Sequence, residues 1–259
     1  MSVDSILAAF DAFRGPLIAL AAGLAWAGLM AALRRPGLAS LGLPVALIAG
    51  AIAVMGPVTA SPRQLPERVP GLALALLLLA LPLVLAPKRP VMAALGAVAA
   101  LFTGWWVAGA PLHGADAVRA APVFVTMALL AGLLLLEARD RWRCLLAAVA
   151  LAAALWASGV VGPWLMLGLV LAAAAVALAV GPGPAAWLAF APMLALLAAG
   201  PVLARGAPAD WMALATPLCA LLIGGRLAAG AKGGRAWAWL IPSAVLPVAL
   251  TWGLARLAP

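Results

Sequence analysis

The chain has 259 residues, of which 68% are hydrophobic and 9% charged, and its mean hydropathy is +1.19. A soluble domain is nearer half apolar and a quarter charged, so the composition excludes a water-soluble globular protein and predicts an all-α polytopic integral membrane protein. The net charge of +9 does not indicate a nucleic-acid partner, because the basic residues fall at turns between apolar runs. Tyr is absent and Arg outnumbers Lys fourteen to two, a usage expected of a GC-rich bacterium, which places the protein in its inner membrane. Two cysteines, at or within apolar segments, give neither a disulfide framework nor metal-ligand spacing.

Residues 1–15 carry Asp4, Asp11 and Arg14 where a cleavable signal has a positive start. Val3, Ile6, Leu7, Phe10 and Phe13 recur at helical spacing, which predicts an amphipathic helix on the membrane surface. A crossing helix needs about 20 apolar residues. Five are predicted before the middle of the chain, over 16–33, 41–58, 72–86, 91–110 and 122–136. Arg34-Arg35-Pro36-Gly37 ends the first, the polar stretch 61–70 follows the second, and Pro87-Lys88-Arg89-Pro90 follows the third. The loop 111–119 follows the fourth, and the fifth reaches the densest charge run of the chain, Glu137-Ala-Arg-Asp-Arg-Trp-Arg143.

From Cys144 to Val180 no residue is charged. As one helix this run would be about 55 Å long, against a hydrocarbon core of about 30 Å, so it must fold back. Gly159–Pro163 is its strongest break, which predicts helices over 144–161 and 163–180. Gly181-Pro-Gly-Pro184 makes the next turn, and helices over 185–203, 211–223 and 236–254 complete a single domain of ten short spans.

With the N-terminus outside, ten basic residues lie on the cytoplasmic side: Arg34, Arg35, Lys88, Arg89, Arg139, Arg141, Arg143, Arg226, Lys232 and Arg235. Six lie outside: Arg14, Arg63, Arg68, Arg119, Arg205 and Arg256. Basic asymmetry decides orientation, so both termini are expected on the outer, periplasmic side. Ten of the eleven Trp residues fall near expected helix ends, as interfacial Trp does, with Trp26 the exception. Five helices on either side of Glu137–Arg143 give a 5+5 pseudo-repeat of opposite topology, a plan common among transporters.

Chemistry is constrained by what the spans lack. No Asp, Glu, Lys, Arg or His lies in the middle third of any, which disfavours a proton relay or buried ion site. His113 is the only histidine, there is no HExxH motif, and Ser158 has no partner base, so neither an enzyme nor a cofactor is expected. His113 and Asp116 form a candidate outer site, short of the three or four ligands a metal needs. Glu137, Arg139, Asp140 and Arg141 form a candidate inner gate, with Glu137 and Arg141 at i,i+4. Prolines inside spans free backbone carbonyls and belong against protein or a cavity rather than lipid. Pro82 and Pro192 hold counterpart places in the two halves, and Thr216, Pro217, Pro242 and Ser243 extend a candidate pathway for an uncharged solute. A stripe of small residues on the first helix, Ala19, Gly23, Ala27 and Ala31, allows close packing.

Ten helices in this length resemble the drug/metabolite transporter superfamily in outline, but none of its motifs is present and the expected orientation is opposite, so no family is assigned. Two functions follow. One is a permease for a small neutral or lipid-like molecule, without a buried ionisable coupling site. The alternative is a non-catalytic subunit, scaffold or assembly factor. The expected partners are membrane lipids, with other membrane proteins or further copies of the chain as the remaining choices.

Overall fold

Apolar runs bounded by Pro, Gly and Arg fold as helices because only internal hydrogen bonding satisfies the backbone in a hydrocarbon medium. The computed structural model describes residues 11–58, 62–85, 88–229, 231 and 234–257; it is 84% helical, with no strand among the described residues. The long helices are α1 Arg14–Ala32, α2 Gly42–Met55, α3 Val69–Leu85, α4 Arg89–Val107, α5 Gly114–Glu137, α6 Arg141–Ala157, α7 Pro163–Ala175, α8 Pro184–Ala204, α9 Pro208–Leu218 and α10 Gly234–Leu257. Among the described residues, eight helical segments are long and apolar enough to cross a membrane, counting α2, α3 and α9 with the short turns that extend them. This is an all-α membrane protein. The other two, α6 and α7, occupy the uncharged run and are shorter. They are joined by a hairpin in which Gly159 and Gly162 take φ values of 71° and 72°, in the left-handed region that glycine enters without strain. Most of the surface helix expected over 1–15 lies outside the described residues.

Some helix ends differ from expectation for identifiable reasons. Pro122 was the expected start of the fifth span, but it lies inside α5, which begins at Gly114. Proline in a membrane helix is tolerated where neighbouring groups re-satisfy the backbone. Pro66–Arg68 forms a 3-10 turn that runs directly into α3, so the C-terminal part of the expected polar loop is already helical. Beyond Pro217, α9 widens into a π-helix over Cys219–Ile223 and resumes as α-helix over Gly224–Leu227. A proline lacks the N–H that regular helix requires, and a widened turn is one way to absorb the defect.

α8 is the centre of the bundle. Its sequence is apolar on every side, and 83% of its apolar window is buried, against 17% for α5. It packs against α2, α3, α4, α5, α7 and α9, with Phe190 fully enclosed. A helix hydrophobic all round belongs in such a position. The alanines and glycines of its neighbours let the backbones close up, and van der Waals contact rather than water exclusion holds membrane helices together. α1 shows the same device. Its buried residues are Gly15, Ala19, Gly23 and Ala27, one every four positions. They fit against Ala46, Gly42 and Gly50 of α2 and against Val170 of α7. The stripe foreseen on this helix is therefore its packing face, shifted by one turn, since Ala31 is exposed.

The turns sort into two ends. At one end, which carries most of the basic turns, Trp26 Nε1 donates to Leu38 O at 2.8 Å and Arg141 Nη1 donates to Ala179 O at 3.1 Å. Gly181 and Gly183 sit directly on Ala39 and Ser40, and Gly37 lies beside Val84. At the other end Arg68 meets Trp106, and Arg205 bonds both Asp210 and Ser158 O. Sequential packing repeats between α1–α5 and α6–α10: α1 on α2 matches α6 on α7, α3 on α4 matches α8 on α9, and α4 on α5 matches α9 on α10. Beyond that the halves differ. α6 also packs on α9 and α10, whereas α1 packs on α7.

Candidate functional site

A cleft of about 850 Å³ lies at the basic end, where the N-terminal part of α4 faces the C-terminal part of α5 and the start of α8. On α4, Ala93, Gly96, Ala97 and Ala100 fall at i, i+3, i+4 and i+7, so one face of the helix is lined with small side chains. Gly132, Leu135 and Leu136 of α5 form the facing wall. Pro184, Trp187 and Leu188 of α8 and Leu83 of α3 complete it. Gly132 leaves real space: a methyl group there would approach only Ala100 Cβ, at 3.9 Å. Gly96 is different, because Leu135 already occupies the room a side chain would need.

Two guanidinium groups line the cleft. Arg89 is the first residue of α4, and Arg139 lies just beyond the end of α5; both are exposed. No carboxylate lines the cleft, and among the described residues neither arginine is paired with one. The indole N–H of Trp187 is buried and has no acceptor among the described residues. Ala93, Ala97 and Leu136 are exposed, so the cleft is open along its flank as well as at its basic end.

The residues singled out from sequence fall into separate places. Of the expected inner gate, only Arg139 lines the cleft. Asp140 caps α6, its Oδ1 accepting the Arg143 N–H at 2.8 Å. Arg141 lies over the Trp142 ring, 5.2 Å from its centroid, while bonding to Ala179 O. The i,i+4 pairing expected of Glu137 and Arg141 does not form, because α5 ends at Glu137 and α6 begins at Arg141, so the two are not on one helix.

None of the expected pathway residues lines the cleft. Pro192 is buried within α8, but Pro82 and Pro242 face outward, and α3 and α8 run unbroken past their prolines. Thr216 is fully buried and bonds to Met212 O at 3.1 Å; Ser243 bonds to Leu240 O at 2.8 Å. Thr103, Ser158 and Thr251 likewise bond to backbone carbonyls of the preceding turn. These hydroxyls are spent on their own helices, the usual role of Ser and Thr in membrane segments. His113 and Asp116 are exposed at the start of α5, and no group of three or more metal-ligating side chains occurs among the described residues.

Sequence reasoning passed over Arg89, Trp187 and Gly132. Arg89 counted only toward orientation, and Trp187 only toward the interface. The readable signal was the small-residue face Ala93, Gly96, Ala97 and Ala100, which begins one turn after Arg89. The arrangement offers an apolar slot with cationic groups at one end. No protein-family model, curated protein or solved structure matches the chain.

Proposed function

We propose that the chain is a non-catalytic permease of a bacterial inner membrane that moves a small lipid-like molecule. In this reading it crosses the bilayer ten times with both termini on the outer side. The cleft is the observation that carries it. Helices of both halves form its walls, its length is apolar, and its flank is open to the surface that faces lipid. A pathway between two pseudo-repeats is where transporters place their substrates. Two contacts between turns support the ten crossings: Arg141 meets Ala179 O between turns expected inside, and Arg205 meets Ser158 O between turns expected outside.

The test is transbilayer movement. Purified protein in vesicles should speed the passage of a fluorescent short-chain lipid between leaflets, read with a membrane-impermeant quencher. Gly132→Leu, which fills the cleft, should return the rate to that of protein-free vesicles. Movement at the protein-free rate with the unaltered chain would overturn the permease. Recovery as a stoichiometric component of a larger complex after gentle extraction would assign it the role of a subunit or assembly factor.

A further inference from the structure

We propose that the cleft is a binding site for an anionic lipid, with its phosphate held between Arg89 and Arg139 and an acyl chain laid along the small-residue face of α4. The inference rests on the permease reading for the cleft being a ligand site, and it names the chemistry of the ligand.

Three features of different physical origin meet at the basic end of the cleft. The first is formal charge. Arg89 opens α4 and Arg139 follows the end of α5; they line the same space and are not neutralised by any carboxylate among the described residues. The nearest acids in sequence are otherwise placed: Asp140 is engaged at the start of α6, and Glu137 is not part of the lining. A guanidinium presents a planar fork of donors that fits phosphate oxygens.

The second is backbone polarity. α4 begins at Arg89 and α8 begins at Pro184, and both residues line the cleft. Neither helix has a side-chain cap, Lys88 and Gly183 at their N-cap positions making no such bond. The positive dipole end of α4 therefore adds to the potential of the two arginines, whereas the start of α8, whose Pro184 has no N–H, is packed on Ala39 and Ser40 and contributes wall rather than donors. The ring of Trp187, in the first turn of α8, forms part of the wall beside this end, with its own N–H buried.

The third is length. From Arg89 to Ala100 the lined face of α4 rises about 16 Å, close to half of a hydrocarbon core of about 30 Å. That is the depth of one leaflet. A chain lying beside Ala93, Gly96, Ala97 and Ala100 meets only apolar surface, while the exposed flank lets it enter sideways from the bilayer. A free phosphate would use the arginines and leave this slot empty. A zwitterionic lipid would fill the slot but bring its own cation to the basic end, and a lipid without phosphate would leave both guanidinium groups unpaired.

Native mass spectrometry of the full chain in mild detergent tests this. The probes are phosphatidylglycerol and phosphatidylcholine with identical acyl chains, and inorganic phosphate as competitor. The expected result is a preference for phosphatidylglycerol on the order of tenfold, the scale of one or two basic contacts with an anionic lipid. Arg89→Gln with Arg139→Gln should bring the two lipids to equal occupancy, and Arg89→Lys with Arg139→Lys should restore most of the preference. Gly132→Leu, which leaves every charge in place, should reduce binding of both lipids. Equal affinity in the unaltered protein would overturn the proposal. So would a preference that survives the double Gln variant, displacement of the lipid by equimolar phosphate, or a co-purified membrane protein seated in the cleft. Binding with these properties but no transbilayer movement would refute the permease while leaving the lipid site standing.

Discussion

Arg68 and Trp106 hold each other through their backbones. Arg68 Nη1 donates to Trp106 O at 2.6 Å, and Trp106 Nε1 donates back to Arg68 O at 2.9 Å. The pair ties the turn before α3 to the end of α4, where Trp106 O also accepts the Gly109 N–H at 3.3 Å. Arg68 Nη1 also reaches Val107 O at 3.1 Å, and the Trp106 ring lies against Gly71. Arg68→Gln should destabilise the folded protein by about 1–3 kcal/mol, the cost of losing a charged hydrogen bond and stranding its acceptors. Thermal unfolding in detergent, followed by tryptophan fluorescence, checks it. Trp106→Phe removes the returning bond and the outer-ring contact with Gly71 together, so it should destabilise by a similar amount; an unchanged melting temperature would refute the reciprocal bond.

Gly200 of α8 lies face to face with the Trp164 ring at the start of α7, and even a methyl group there would overlap the indole. Gly200→Ala should therefore lower stability by about 1–3 kcal/mol, as overpacking does. Trp164→Leu in the same chain should recover most of the loss. A melting temperature unchanged by Gly200→Ala would show that the ring has room to move.

Asp210 is wholly buried, while Arg205, its ion-pair partner, is 42% exposed. Its Oδ2 also serves the start of α9, accepting the Ala207 N–H at 3.2 Å. Removing the arginine leaves a buried charge without its counter-ion, whereas Asp210→Asn leaves a neutral amide that still accepts from Ala207. Arg205→Gln should then be the more damaging change, by about 1–2 kcal/mol, less than the loss for a fully buried pair because Arg205 is itself partly solvated. The reverse order in matched unfolding measurements would mean that Asp210 acts chiefly as an acceptor for Arg205.

The α6–α7 hairpin decides how many times the chain crosses. Val161, at its tip, is 80% exposed, and Gly114 and Gly234 have open space around them. In a chain freed of its native cysteines, Val161→Cys and Gly114→Cys should react with an impermeant maleimide from the outer side. Gly234→Cys should react only after the inner side is opened. An unreactive Val161→Cys, with the other two behaving as stated, would make the hairpin re-entrant and leave eight crossings.

The membrane class of the protein was legible in sequence because it depends on gross composition, and the helix-breaking hairpin was legible because Gly159 and Pro163 have few other uses in an apolar run. The site was not. Pro82 and Pro192 were matched by position along the chain, but exposure depends on rotation about the helix axis, and α3 turns Pro82 outward while α8 buries Pro192. Nearly featureless hydrophobicity gives no face from which to read that rotation. Arg139 and Arg141 show the same limit at short range: two residues apart, one lines the cleft and the other bonds to Ala179 O. A break between α5 and α6 separates them, and a helical spacing rule carries no information across it.

The position of α8 also constrains the order in which the protein is made. Seven of the ten long helices leave the ribosome before it, and α2, α3, α4, α5 and α7 all pack on it in the finished bundle. Until residues near Ala204 have emerged, α2, α3, α4 and α5 lack the partner that buries their inner faces. Closure is then a late event, in which a nascent helix enters the middle of a half-built bundle. Truncated chains ending before Pro184 should be recognised by membrane quality control as open intermediates.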